Sequence, residues 1–98
     1  MNIGKAIKEL RLNKGLNQSE MAAGCNLTQT SLSQIENGIK RPNPGTMKKI
    51  CEFFNVPEVV IYLLATEDTD IPEAKRSMYQ NLFPNIKNIL VNLFQDVA

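Results

Sequence analysis

Histidine and tryptophan are missing from the 98 residues of this chain, and cysteine occurs only twice. Without imidazole, catalysis that passes protons through histidine is excluded, as is any zinc site with a histidine ligand. Cys25 and Cys51 stand 26 positions apart with no CxxC pair, so a four-ligand metal site lacks donors. Both lie among apolar neighbours and read as buried free thiols. No metal and no cofactor is expected. Long hydrophobic runs are also missing. The longest, Val59-Val60-Ile61-Tyr62-Leu63-Leu64-Ala65, falls far short of the roughly 20 residues that span a bilayer. Lys5 and Lys8 interrupt the apolar residues of the start, which is wrong for a secretory signal. The expectation is a soluble cytoplasmic protein with no membrane partner.

What is present is ordinary globular composition, 43% apolar and 21% charged, at a length that suits one domain with a modest core. The formal net charge is +1, but it is unevenly spread. Residues 1–65 carry eight cations against five anions, and residues 66–98 carry three against five. A basic front and an acidic rear direct any polyanionic partner to the first part.

The first part punctuates into short helices. Ile3, Ile7 and Leu10 form one apolar stripe of a first helix that stops at Gly15. Asn17 caps a second helix, with Glu20 three residues on as its capping-box partner, and Met21 and Ala22 point inward. Gly24-Cys25-Asn26 breaks it. Thr28 caps a third helix that runs to about Asn37, with Leu32 and Ile35 inward. Asn43-Pro44 opens a fourth, whose inward stripe is Met47, Ile50, Cys51 and Phe54 and whose stop is Asn55. Pro57 starts a fifth, apolar nearly all round, so both of its faces should be covered. No strand-like alternation appears, and the fold class is all-α.

After an acidic linker at 66–70, a weakly amphipathic helix is predicted over 72–83, with Ile71, Ala74, Met78 and Leu82 on one side. Pro84 then restarts the chain. Ile86, Ile89, Leu90, Leu93, Phe94 and Val97 form a single strong stripe in a last helix. That stripe packs back on the fifth helix, forms a dimer interface, or does both.

The third helix carries the functional signal. Its outer face holds Gln29, Thr30, Ser33, Gln34 and Asn37, without one charge. A solvated helix usually presents charged residues there. Uncharged donors and acceptors suit the reading of base edges in a major groove, where glutamine matches the donor–acceptor pair of adenine. The competing reading is a merely solvated polar helix.

Gln18-Ser19-Glu20-Met21-Ala22, the run from Leu27 through Gly38, and Arg41-Pro42, taken with their spacing, resemble the Cro/repressor-type (XRE-family) helix-turn-helix over residues 3–64. The resemblance implies a five-helix lambda-repressor-like DNA-binding domain at 1–65, followed by a helical C-terminal extension at 66–98. It implies a transcriptional regulator of the repressor kind that binds double-stranded DNA, docks helix 28–37 in the major groove and reads an inverted repeat as a homodimer. By the same resemblance Gln29, Thr30, Ser33 and Gln34 are base-reading positions. Asn17, Gln18, Asn37, Lys40 and Arg41 are phosphate-contacting positions, and Arg11 and Glu36 form a structural ion pair. No catalytic residue is implied.

This chain departs from the family pattern in three places. Asn26 stands where glycine is usual in the interhelical turn, which should survive with slightly more strain. The third helix has no Arg or Lys, so the commonest guanine contact is missing and adenine-containing half-sites are expected. The tail lies outside the motif. An antitoxin-like or regulatory module that uses its amphipathic C-terminal helix to hold a protein partner is the alternative. An enzyme is disfavoured, because no nucleophile–base set assembles from these residues.

Overall fold

A computed structural model describes residues 1–94 as helices joined by short turns, with no strand among the described residues. Val97 of the expected C-terminal stripe lies outside that range. Helix α1 (Ile3–Asn13) is capped by the Asn2 side chain, which accepts from the Lys5 N–H at 3.0 Å. It closes at Gly15, whose φ of 75° lies in the left-handed region that glycine occupies at little cost. Helix α2 (Gln18–Gly24) starts from a capping box: Asn17 Oδ1 accepts from Glu20 N at 2.8 Å, and Glu20 Oε1 accepts from Asn17 N at 3.0 Å. Helix α3 (Gln29–Glu36) starts where Thr28 Oγ1 accepts from Ser31 N at 3.0 Å. Helix α4 (Pro44–Phe54) has proline in its first turn and ends on Asn55 at φ 54°. Helix α5 (Glu58–Ala65) follows Pro57 directly.

The predicted inward residues meet in one core. Ile7, Met21, Leu32, Ile35, Ile50 and Ile61 are its largest fully buried side chains, each stabilising the fold by roughly 1.5–3 kcal/mol through removal from water. Cys25 belongs to this core, whereas Cys51 is half-buried at its edge. The expectation that α5 is covered all round is corrected. Val60, Ile61, Leu64 and Ala65 are buried, but Val59 and Leu63, one turn apart, face solvent.

Two further sequence expectations fail in the tail. After short 3₁₀ turns at Asp68–Asp70 and Glu73–Lys75, helix α6 runs unbroken from Arg76 to Leu93, with Pro84 inside it. Proline removes one helical hydrogen bond and crowds the preceding turn, yet α6 is anchored to the domain on both sides of it. Before Pro84, Arg76 Nε donates to the carbonyls of Asp68 and Ile71 at 3.0 Å, and Tyr79 Oη donates to the Thr66 carbonyl at 2.8 Å. After it, Lys87 Nζ lies 2.7 Å from Glu9 Oε2 on α1, and Leu90, Val91 and Phe94 pack on the core. The single expected stripe is also split. Leu90 and Phe94 turn inward, while Ile86, Ile89 and Leu93 turn outward and join Met78 and Leu82 in solvent.

Candidate nucleic-acid interface

The turn between α2 and α3 depends on two residues with different tasks. Asn26 adopts φ 55°, a left-handed conformation that asparagine tolerates, and the Leu27 N–H returns to the Ala22 carbonyl at 2.8 Å. The domain therefore keeps its glycine elsewhere for a separate reason. A Cβ on Gly24 would overlap the Phe53 ring, so a side chain there requires that ring to move. On α1, a Cβ at Gly4 would run into the backbone carbonyls of Ile35 and Glu36. The C-terminal end of α3 thus rests directly on the backbone of α1.

Behind α3 sits an ionic node. Arg11 donates through Nε and Nη2 to both oxygens of Glu36 at 2.8 and 2.9 Å, and through Nη1 to the Leu16 carbonyl at 2.8 Å. Gln18 Nε2 donates to Glu36 Oε1 at 3.1 Å. The hydrogen bonds that Arg11 donates to Glu36 raise the Arg11 pKa above its ordinary value, against the opposing effect of burial. Gln18 is half-buried, with its amide engaged on this node.

On the outer side, Gln29, Thr30 and Asn37 are exposed, while Ser33 and Gln34 are half-buried. Asn37 Nδ2 reaches Ser33 Oγ at 3.4 Å, so these two share one patch. The loop after α3 folds back on Gln34, whose backbone carbonyl accepts from both Ile39 N at 2.9 Å and Lys40 N at 3.2 Å. Lys40 Nζ donates to Ser31 Oγ at 3.4 Å, and Arg41 follows it, exposed. Lys40 is therefore held, with Arg41 beside it, at the C-terminal end of a helix whose outer face carries no charge. Asn17 stays exposed at the start of α2, its Oδ1 engaged by Glu20 N and its Nδ2 hydrogens left to donate.

Sequence reasoning passed over Ser31, which meets Lys40, and Ile39, which is 76% exposed beside the two cations. An apolar residue between Gly38 and Lys40 was the available signal for the second; nothing local marked the first. Among the described residues no group of three or more His, Cys, Asp or Glu could hold a metal ion. Burial pushes the Cys25 thiol up to about 11 and raises Cys51 as well, so neither is a ready thiolate. Among the same residues no helix is long and apolar enough to cross a membrane.

The chain is 31% identical to the cryptic phage CTXphi transcriptional repressor RstR of Vibrio cholerae over 71 residues, 72% of this chain and 62% of that protein. It is 31% identical to a competence pilus inhibition repressor of Acinetobacter baylyi over 65 residues, 66% of this chain and 59% of that one. With the ImmF control region 10 kDa protein of Bacillus phage phi105 it shares 39% over 54 residues, 55% of this chain and 60% of that protein. The chain thus spans about three fifths of the length of these relatives. No solved structure gives a significant match. The helix-turn-helix pattern itself matches residues 7–61, more than half of the chain and the whole of the unit around α2 and α3. The chain belongs to the helix-turn-helix family, in its Cro/repressor (XRE) form.

Proposed function

We propose that this protein is a transcriptional repressor that binds double-stranded DNA sequence-specifically by laying α3 in the major groove. The observation that carries the reading is the solvent side of α3: amide and hydroxyl groups without formal charge, bordered by Lys40 and Arg41 on a loop fastened to Gln34. Gln29, Thr30, Ser33 and Gln34 read base edges, the two glutamines favouring adenine. Asn17, Gln18, Asn37, Lys40 and Arg41 meet phosphates and set the register of the helix. Relatives named as repressors support repression as the outcome.

One such domain covers only part of a helical turn. Two copies related by a twofold axis read an inverted repeat whose half-sites lie roughly 34 Å apart. With about three to four phosphates neutralised per subunit, the slope of log K against log salt is about −3 per subunit. Selection of the purified protein against a random duplex library tests the whole reading. An enriched inverted repeat is the expected result. A single unrepeated site removes the pairing of copies, and no enrichment at low salt overturns DNA recognition itself.

A further inference from the structure

Helix α6 does not close fully onto the domain. Between α1, the linker at 66–69 and the first half of α6 lies an open cavity of about 580 Å³, a size that suits a small molecule. One wall of it is flat and apolar. Tyr79 and Phe83, one turn apart on α6, stack with ring centroids 4.7 Å apart and planes 23° from parallel. Both are half-buried, and Tyr79 Oη donates to the Thr66 carbonyl at 2.8 Å, which fixes its ring. Pro84 continues this wall beside Phe83. A proline inside a helix gives up a hydrogen bond, and a residue that breaks a local rule is expected where the chain serves a site.

Lys5, Glu67, Asp68 and Lys87 bring charge to the rim. Three of them are already engaged. Asp68 Oδ2 accepts from Gln80 Nε2 at 2.9 Å, Glu67 Oε1 lies 3.0 Å from the Met1 ammonium, and Lys87 Nζ lies 2.7 Å from Glu9 Oε2. Lys5 differs. Its backbone N–H is held by Asn2, but its ammonium has no hydrogen bond or ion pair among the described residues. The cavity thus joins a flat apolar wall to one unanswered positive charge.

A ligand that answers both has an aromatic ring and a single negative charge. The ring gains offset stacking on Phe83 and apolar contact with Pro84. The anion gains a charge-assisted hydrogen bond from Lys5, with Lys87 close enough to line the same space. Charge at the rim also selects against other classes. Glu67 and Asp68 at the linker end oppose a ligand of higher negative charge, and the two lysines oppose a cation.

We propose that this cavity is a binding site for a small aromatic carboxylate, its ring laid on the wall of Tyr79, Phe83 and Pro84 and its carboxylate on the Lys5 ammonium. Such a ligand touches α1, the linker and α6 at once, so its binding stabilises the folded chain. The site goes beyond DNA recognition and does not depend on it, since it lies on other elements than α3.

The probes are 2-naphthoate and 2-naphthylmethylamine, which share one ring system and differ in the sign of their charge. Titration calorimetry of the full chain is expected to give one naphthoate site per chain, with a dissociation constant of about 1 mM or tighter. The amine should bind at least about 10-fold more weakly. Lys5→Gln, a change at an exposed position, should keep the helical circular dichroism and raise the naphthoate constant at least about 10-fold. Phe83→Leu keeps apolar bulk without a flat ring and should also weaken binding. The chain has two tyrosines, of which Tyr79 lines the cavity and Tyr62 does not. On adding naphthoate, the ring resonances of Tyr79 should therefore move and those of Tyr62 should stay. Absence of naphthoate binding at several millimolar overturns the proposal. So does equal affinity for the amine, an unchanged constant in Lys5→Gln, or a response at Tyr62 in place of Tyr79.

Discussion

Arg11 grips Glu36 from 25 residues away in the chain, with Nε and Nη2 on the two carboxylate oxygens at 2.8 and 2.9 Å and the side chains 8 and 0% exposed. Through Leu16 and Gln18 the same node holds the α1–α2 connection and the start of α2, so one carboxylate ties three helices together. Removing one partner strands the other charge in the interior. Glu36→Ala should therefore cost about 3–5 kcal/mol and lower the melting temperature by at least about 12 °C in a domain of this size. Joint replacement, Arg11→Met with Glu36→Leu, should recover most of that loss, because no charge is left unpaired. Thermal unfolding checks both. A Glu36→Ala variant that melts with wild type would show that packing alone fixes α3.

Glycine should give opposite signs at two helical positions. Gly4→Ala places a Cβ against the Ile35 and Glu36 carbonyls, backbone atoms that cannot step aside unless α1 and α3 separate. Its gain in helix propensity of about 1 kcal/mol is outweighed, and a net loss of stability is expected. At Gly45 the nearest atom to a new Cβ is Asn43 Oδ1 at 3.5 Å, an ordinary contact. Gly45→Ala should stabilise by about 0.5 kcal/mol through the unfolded chain. Denaturant titration of the two variants reads the sign directly.

The parts legible in the sequence were those settled within one turn of chain. The capping box of Asn17 and Glu20, the Thr28 and Asn43 caps and the left-handed Asn55 all follow from groups three or four residues apart, and the structure places each of them. Gln29 and Thr30 were legible as exposed for a similar reason, since nothing apolar in that turn competes for the outside. The half-burial of Gln34 was not, because it accompanies a fold-back of Ile39 and Lys40 onto its carbonyl beyond the end of the helix. In the tail, periodicity found an apolar arc but not its two sides. Which of Ile89 and Leu90 faces inward depends on where the domain lies, and that is not written in the helix itself.

Base-reading and phosphate-contacting residues should be separable by how their loss depends on sequence. Gln29→Ala removes a group assigned to one base pair, so it should cost about 1–3 kcal/mol on the preferred site and relax preference at that position alone. Arg41→Ala should weaken binding to all duplexes alike and reduce the salt slope by about one. Both residues are exposed, so the melting temperature should hardly move. Competition binding at two salt concentrations distinguishes the two behaviours. A uniform loss from Gln29→Ala would take that residue out of base recognition.

Pro84 offers a test of how α6 is held. Its ring nitrogen cannot donate, so the Gln80 carbonyl has no helical partner there, and an interior proline costs a free helix about 3 kcal/mol relative to alanine. The helix persists because Tyr79 and Arg76 hold it on one side, while Lys87, Leu90 and Phe94 hold it on the other. Pro84→Ala restores the missing hydrogen bond at an exposed position, so helicity and melting temperature should both rise. The gain should stay below the full 3 kcal/mol, because both halves of α6 are already docked in the geometry that the proline imposes. Circular dichroism and thermal unfolding measure it. A fall in stability on Pro84→Ala would mean that the anchors on either side fit only the helix that proline shapes. In that case the residue that looks like a helix breaker is what aligns α6 with the domain.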